Sequence, residues 1–275
     1  MHKTGLLLRF TRIGEYLHVL LLIFPLVFLI SPEDLFSNKT IIIFLANLCL
    51  TAFGYMYNDL EDAEDDYHDL DKRKRNPISS GEITRNQSYL SNLLVLSAGL
   101  LMLAFISPLV FSLGVVFAFI GVFYSWKPLR LKSRPVLDLV SHVLFLGVLQ
   151  FLITFTAFRP FALSIIPFLM IIIPFSMMNE IIHELIDFDV DKRTEINNTV
   201  QRFERFDASK IFMALSAIII TGLSIIIYTI PLRYKFINLS ISLVVVMIAI
   251  FRMNARVSDI QRDMRVTRAD AFLDS

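Results

Sequence analysis

The sequence predicts an all-α, polytopic transmembrane helix bundle, and three observations predict it. Of 275 residues 55% are hydrophobic, with 25 Phe and a mean hydropathy of +0.64, which is too apolar for a water-soluble domain of this length. The apolar residues gather in stretches long enough to cross about 30 Å of hydrocarbon. The charged residues stand in blocks between those stretches, while the formal net charge is only +1. That balance gives no global basic field, so nucleic acid is not an expected partner. Helix is the expected form because lipid offers a backbone no hydrogen-bond partners, and the alternating pattern of a barrel strand is absent.

Taken in order, spans are expected at roughly 15–31, 40–58, 88–107, 109–125, 137–157, 161–186, 210–230 and 234–253, about eight helices. Lys3, Arg9 and Arg12 precede the first; no small-residue cleavage site follows it, so it reads as a retained helix and not a removed leader. Pro25, Pro167 and Pro174 fall inside spans and are read as kinks. The one cysteine, Cys49, lies in an apolar run, which leaves no disulfide and no cysteine-based zinc site within the chain. The chain reads as one domain, 1–275, ending in a polar tail at 254–275 that lies in solvent or at the membrane interface.

With a cytoplasmic N-terminus, only Lys39, Arg159, Arg233 and Lys235 reach the far side, and every other Lys and Arg is inside. The positive-inside rule therefore orients the chain. The expected place is a multi-pass position in the membrane, the plasma membrane in a prokaryotic cell. The segments 59–87, 126–136 and 187–209 then share the cytoplasmic face.

The chemistry lies in those three segments. Asn58, Asp62 and Asp66 recur every four residues and Asp59 stands three before Asp62, so on a helix they share one face. Glu184, Asp187 and Asp191 repeat the offsets of Asp59, Asp62 and Asp66. Carboxylates stacked on one face cost a few tenths of a kcal/mol per like-charged pair unless a cation neutralises them. A hard divalent ion would do so, and Mg²⁺ favours one or two carboxylates, waters and phosphate oxygens over an all-protein cage. Acidic residues can also simply mark where a helix leaves the membrane; two clusters of matching spacing on one side favour the metal.

Basic residues follow each cluster. Arg73 and Arg75 come after the first and Lys192 after the second, either to neutralise a metal-bound diphosphate or to anchor the helices by charge. Between the clusters stands Tyr124-Ser125-Trp126-Lys127-Pro128-Leu129-Arg130-Leu131-Lys132, whose aromatic and cationic residues suit a substrate pocket and an interfacial belt equally.

On these residues the sequence resembles the UbiA superfamily of intramembrane prenyltransferases: Asn58 through Asp66 followed by Arg75, Pro77 and Gly81, then Tyr124 to Lys132, then Asp187 and Asp191. The resemblance implies a helix bundle, usually of nine helices, around a central lipid-accessible cavity. It implies Mg²⁺ held by Asn58, Asp62, Asp66, Asp187 and Asp191, with Asp59 and Glu184 as further ligands or neighbours. The catalytic set would be Asp62, Asp66, Asp187 and Asp191, and Arg73, Arg75, Tyr124, Lys127, Arg130, Lys132 and Lys192 would contact a prenyl diphosphate. The implied partners are that diphosphate, a hydrophobic acceptor (lipid, isoprenoid or aromatic) and membrane lipid. The sequence departs from the family in Arg75-Asn76-Pro77, where Arg-Pro is commoner, and in Pro128, where a Lys usually follows the Tyr by four.

Two rival functions share these features. A terpene cyclase of the same fold would capture the cation with its own chain, and a divalent-cation transporter would also carry intramembrane carboxylates. Clusters at helix ends, surrounded by Arg and Lys, suit phosphate better than a conducted cation. The Asp-Gly-x-x-Ala-Arg run of CDP-alcohol phosphatidyltransferases is missing.

Overall fold

The computed structural model describes residues 3–186, 188, 197–203 and 208–229, and all regular structure among them is helical. Seven helical stretches are long and apolar enough to cross a membrane: Ile13–Ile30, Asn38–Asp66, Arg85–Ala104, Pro108–Ser125, Leu137–Phe158, Leu163–Ile186 and Lys210–Thr229. Except for the C-terminal end of the second, they agree with the first seven expected spans to within a few residues. The expected span at 234–253 and the tail at 254–275 lie outside the described residues.

By packing, the chain falls into two units, Met1–Lys132 with Leu144–Phe161, and Ser133–Val143 with Ala162–Ser275. The first begins with α1 (Lys3–Thr11), α2 (Ile13–Leu20) and α3 (Ile23–Ile30). Arg12, between α1 and α2, has a left-handed backbone with φ 52°. Pro25 has no N–H to offer Leu21, and the first span is interrupted there, at Leu21 and Leu22.

The central element of this unit is α4 (Asn38–Asp66), started by Ser37, whose Oγ accepts the Thr40 N–H. The short α5 (Leu70–Arg75) follows, capped by Asp69. Then come α6 (Arg85–Ala104), opened by a Thr84–Gln87 capping box, and α7 (Pro108–Ser125), with Pro at its first position. These two pack along α4. Ile43, Leu50 and Met56 of α4 form one buried cluster with Leu103, Val110, Phe117 and Ile153. Phe145 is wedged into it beside two glycines: a Cβ on Gly54 would lie 2.3 Å from the ring and one on Gly121 2.6 Å. Only glycine permits that approach.

The fifth span starts in the second unit as α8 (Leu137–His142), passes through a π-helical stretch at Val143–Leu149, and continues in the first unit as α9 (Gln150–Phe158). The rest of the second unit comprises α10 (Ile166–Ile186), α11 (Thr199–Arg202) and α12 (Ala208–Thr229). Pro167 stands at the start of α10 and Pro174 inside it. Met178, Ile181 and Ile182 of α10 cluster with Phe212 and Ile219 of α12. Gly222 lets these helices close together, since a Cβ there would meet the Pro167 carbonyl oxygen at 2.7 Å.

Candidate active site

The sequence places the end of the second span at 58, whereas α4 continues as one helix to Asp66. The whole first acidic motif is therefore helical, with its offsets realised as a helical face. What holds like charges there is the segment after α7. Ser125 Oγ donates to Asn58 Oδ1 at 2.9 Å and Lys132 Nζ to the same oxygen at 2.8 Å. The Lys132 ammonium also donates to Asp62 Oδ2. Arg130, held in a left-handed turn with φ 38°, places Nη2 3.1 Å from Asp62 Oδ1 and 2.7 Å from Asp65 Oδ2. Lys127 Nζ reaches Glu64 at 2.7 Å, and its backbone N–H donates to Glu61 at 3.1 Å. Lys127, Arg130 and Lys132 thus converge on the acidic end of α4.

Among the described residues no three His, Cys, Asp or Glu side chains converge as a ready metal cage. The donor set still fits a hard cation. The Lys132 ammonium occupies a point reached by oxygens of two residues, Asn58 and Asp62, both fixed on one helix. A pair of oxygen donors with room for water and phosphate is the environment Mg²⁺ takes most readily. Asp59 is fully buried beside it: Oδ1 faces Arg12 Nη1 at 3.4 Å, and among the described residues Oδ2 has no hydrogen-bond partner. Asp66 is also buried, and its Oδ2 accepts from Asn76 Nδ2 at 2.9 Å.

The other expected residues take different places. The Arg73 guanidinium stacks 4.1 Å over the Tyr67 ring. Arg75 is exposed and, with Leu8, Arg9, Arg12, Ile13, Gly14 and Glu15, lines a cavity of about 320 Å³. Tyr124 stacks against Phe145, ring centroids 6.4 Å apart. In the second unit Glu184 is buried and its Oε2 accepts the Val200 N–H at 2.9 Å. Asp187, Asp191 and Lys192 lie outside the described residues. In the polar segment after α4, hydrogen bonds from the Lys72 and Asp71 N–H groups hold the Asp69 carboxyl below the usual range, and one from Arg9 does the same for Glu82.

Four residues beyond the sequence-derived set join these contacts. Arg12, only 10% exposed, makes two hydrogen bonds to Glu15, at 2.8 and 2.5 Å, and lies 4.8 Å over Tyr55 as well as facing Asp59. Asn76 and Ser125 hold Asp66 and Asn58. In the second unit the fully buried Asp138 accepts from Thr199 Oγ1 at 2.5 Å and from the Thr199 N–H. Asp138 carries a sequence signal, an ionisable residue at the start of an apolar span. Arg12 reads only as a flanking charge; Asn76 is marked in the sequence as a departure from Arg-Pro and Ser125 lies within the Tyr124–Lys132 segment, but neither position shows which carboxylate or amide it meets.

Residues 19–274 match the model of the UbiA prenyltransferase family. The chain belongs to that family. Its fold is similar to that of a UbiA homolog from Archaeoglobus fulgidus bound to GPP and Mg²⁺, with a TM-score of 0.75 and 24% identity over 90% of this chain and 87% of the other. The same homolog bound to DMAPP and Mg²⁺ gives 0.73 and 23%, over 90% and 86%. A structure described as giving insights into the biosynthesis of digeranylgeranylglyceryl phosphate synthase in membranes gives 0.65 and 17%, over 97% and 94%. No curated protein matches the sequence. The UbiA assignment and the seven apolar helices make this an integral membrane protein.

Proposed function

We propose that this UbiA-family protein is a Mg²⁺-dependent prenyltransferase that moves a prenyl group from a polyprenyl diphosphate to a hydrophobic acceptor (lipid, isoprenoid or aromatic) within the membrane. The observation that carries the proposal is the Lys132 ammonium held between Asn58 and Asp62 with Arg130 beside it. Paired oxygens for a hard cation and cationic donors for phosphate stand within one group of side chains. Similar UbiA structures bound to GPP or DMAPP with Mg²⁺ support the same donor. The positive-inside distribution supports a cytoplasmic face for the site and, in a prokaryote, a plasma-membrane location.

In this reading Asn58, Asp62 and Asp66 hold the metal, with Asp59 as a neighbour. When bound, the metal neutralises the charge that develops on the departing diphosphate. Lys127, Arg130 and Lys132 turn their donors to the diphosphate oxygens, and Arg73 and Arg75 add charge from α5. The allylic C–O bond breaks and its electron pair leaves with the diphosphate. The acceptor then supplies the electrons of the new bond and loses a proton. Apolar side chains exclude the water that would otherwise capture the prenyl cation, and aromatic faces shield it. Glu184, Asp187, Asp191 and Lys192 enter as ligands and diphosphate contacts on the repeated spacing and the family resemblance.

The test is to incubate detergent-purified protein with radiolabelled geranylgeranyl diphosphate, extracted membrane lipids and Mg²⁺, and to follow pyrophosphate release with the labelled products. EDTA should abolish release, and Asp62→Asn or Asp191→Asn should each reduce it by at least about 100-fold. A labelled product lacking any acceptor would reassign the protein as a cyclase. Absence of release across prenyl chain lengths and acceptor mixtures, with tight Mg²⁺ binding retained, would favour ion transport.

A further inference from the structure

Asn76 interrupts the Arg-Pro pair that ends the first motif, and the structure gives this residue an unusually complete set of contacts. It is fully buried. Its Nδ2 donates to the Asp59 carbonyl oxygen at 2.7 Å and to Asp66 Oδ2 at 2.9 Å. Its Oδ1 accepts the N–H groups of Ile78 at 3.0 Å and Ser79 at 3.4 Å. Both donors and both acceptor sites of the amide are used. The orientation of the amide follows from these partners, since a flipped group would set its oxygen against two acceptors and its NH₂ against two N–H groups.

We infer that Asn76 is a positioning residue for Asp66. The Asx-type bonds to Ile78 and Ser79 fix the Asn76 side chain on the turn after α5. From there the NH₂ group reaches back across ten positions to the last residue of α4 and holds one carboxylate oxygen. Among the described residues only Oδ2 of Asp66 accepts a hydrogen bond, which leaves Oδ1 available to a ligand. A buried carboxylate at a helix end, where the last turn frays, would otherwise sample several rotamers. Holding a ligating carboxylate by its second oxygen is how surrounding hydrogen bonds tune a metal site. Asn76 also ties the Asp59 carbonyl, so a single amide links two turns of the acidic face.

This inference rests on the reading of Asp66 as a metal ligand, and the test separates the two. Full-length protein in detergent is titrated with Mn²⁺ without prenyl diphosphate, and binding is followed by the electron paramagnetic resonance of free Mn²⁺. Asn76→Asp keeps the acceptor oxygen for Ile78 and Ser79 but loses both donors, and Asn76→Ala loses the turn bonds as well. Both variants should lower Mn²⁺ affinity by about 10- to 100-fold. Ser79→Ala removes the 2.8 Å bond from Ser79 Oγ to the Ala63 carbonyl oxygen, a second tie between the same turn and helix that does not touch Asp66. It should leave Mn²⁺ affinity unchanged. A loss in Asn76→Ala but not in Asn76→Asp, or an equal loss in Ser79→Ala, would overturn the inference, because packing of the turn would then account for it. A wild-type protein that fails to bind Mn²⁺ would instead overturn the metal-dependent function itself.

Discussion

Lys132 Nζ lies 2.8 Å from Asn58 Oδ1, although 74 positions separate the two residues, and the same ammonium donates to Asp62. A cation from the segment after α7 therefore sits where oxygens of the first acidic motif converge. In a metal-dependent prenyltransferase this ammonium and a divalent ion would compete for the same oxygens, and the ammonium would be free to move to phosphate once displaced.

Lys132→Met tests that exchange. Removing a unit charge about 4 Å from the metal position is worth ~1–4 kcal/mol at effective dielectric constants between 80 and 20. Mn²⁺ affinity without substrate should therefore rise by at least about fivefold. With prenyl diphosphate present, kcat/KM should fall by about 100-fold as a phosphate contact is lost. Unchanged metal affinity would mean that the ammonium and the metal use different positions.

Gly121→Ala and Gly54→Ala should each destabilise the first unit by about 1–3 kcal/mol, because the Phe145 ring has no room to yield without disturbing Phe117, whose ring centroid is 4.4 Å away. Thermal unfolding in detergent measures the loss. Adding Phe145→Leu to Gly121→Ala should recover part of it, which would separate a ring clash from a general intolerance of alanine in the helix.

Thr199 stands between two groups of the second unit: Oγ1 donates to Asp138 and accepts the Val136 N–H at 2.7 Å. Thr199→Val keeps the shape and leaves both partners short of a hydrogen bond, at a cost of about 1–3 kcal/mol. Thr199→Ser should retain near-native stability. Val136 itself has φ 70° and ψ −40°, a region disfavoured for a β-branched residue. Since Val136 is exposed, Val136→Gly should relieve that strain without opening a cavity and raise the melting temperature.

Acidification should loosen the contact between α1 and Glu82 before it unfolds the bundle, while Phe10 keeps α1 packed on the core. Arg9 Nη2 donates to Glu82 at 2.6 Å and Ser80 Oγ to the same carboxylate at 2.9 Å, and the folded pKa of Glu82 lies below its unfolded value. The contribution of this contact is therefore present above the unfolded value, about 4.3, and is lost as pH falls through the lower folded value. Hydrogen exchange of residues 3–11, corrected for intrinsic rates, should be flat from pH 7 to about 5 and rise below about 4. Glu82→Gln should abolish that step.

Much of this was legible before any coordinates. The spans were, because transfer into lipid is a property of each local stretch, and seven of them recur as helices. The shared face of Asn58, Asp62 and Asp66 was legible too, since helical period alone sets it. What holds that face together was not: hydropathy falls at 58, and the helix runs on to Asp66 because Arg130, Lys132 and Asn76 neutralise or hydrogen-bond the acidic turn.

The sequence by itself therefore determined the membrane helices, their order and the spacing of the acidic motif, all of which follow from local periodicity and solvent preference. Only the tertiary structure decided the partners: Lys132 with Asn58 and Asp62, Arg12 with Asp59, Asn76 with Asp66. Each joins residues on separate elements, and the paths of the intervening loops choose among many chemically equivalent cations and amides, a choice that no local pattern encodes.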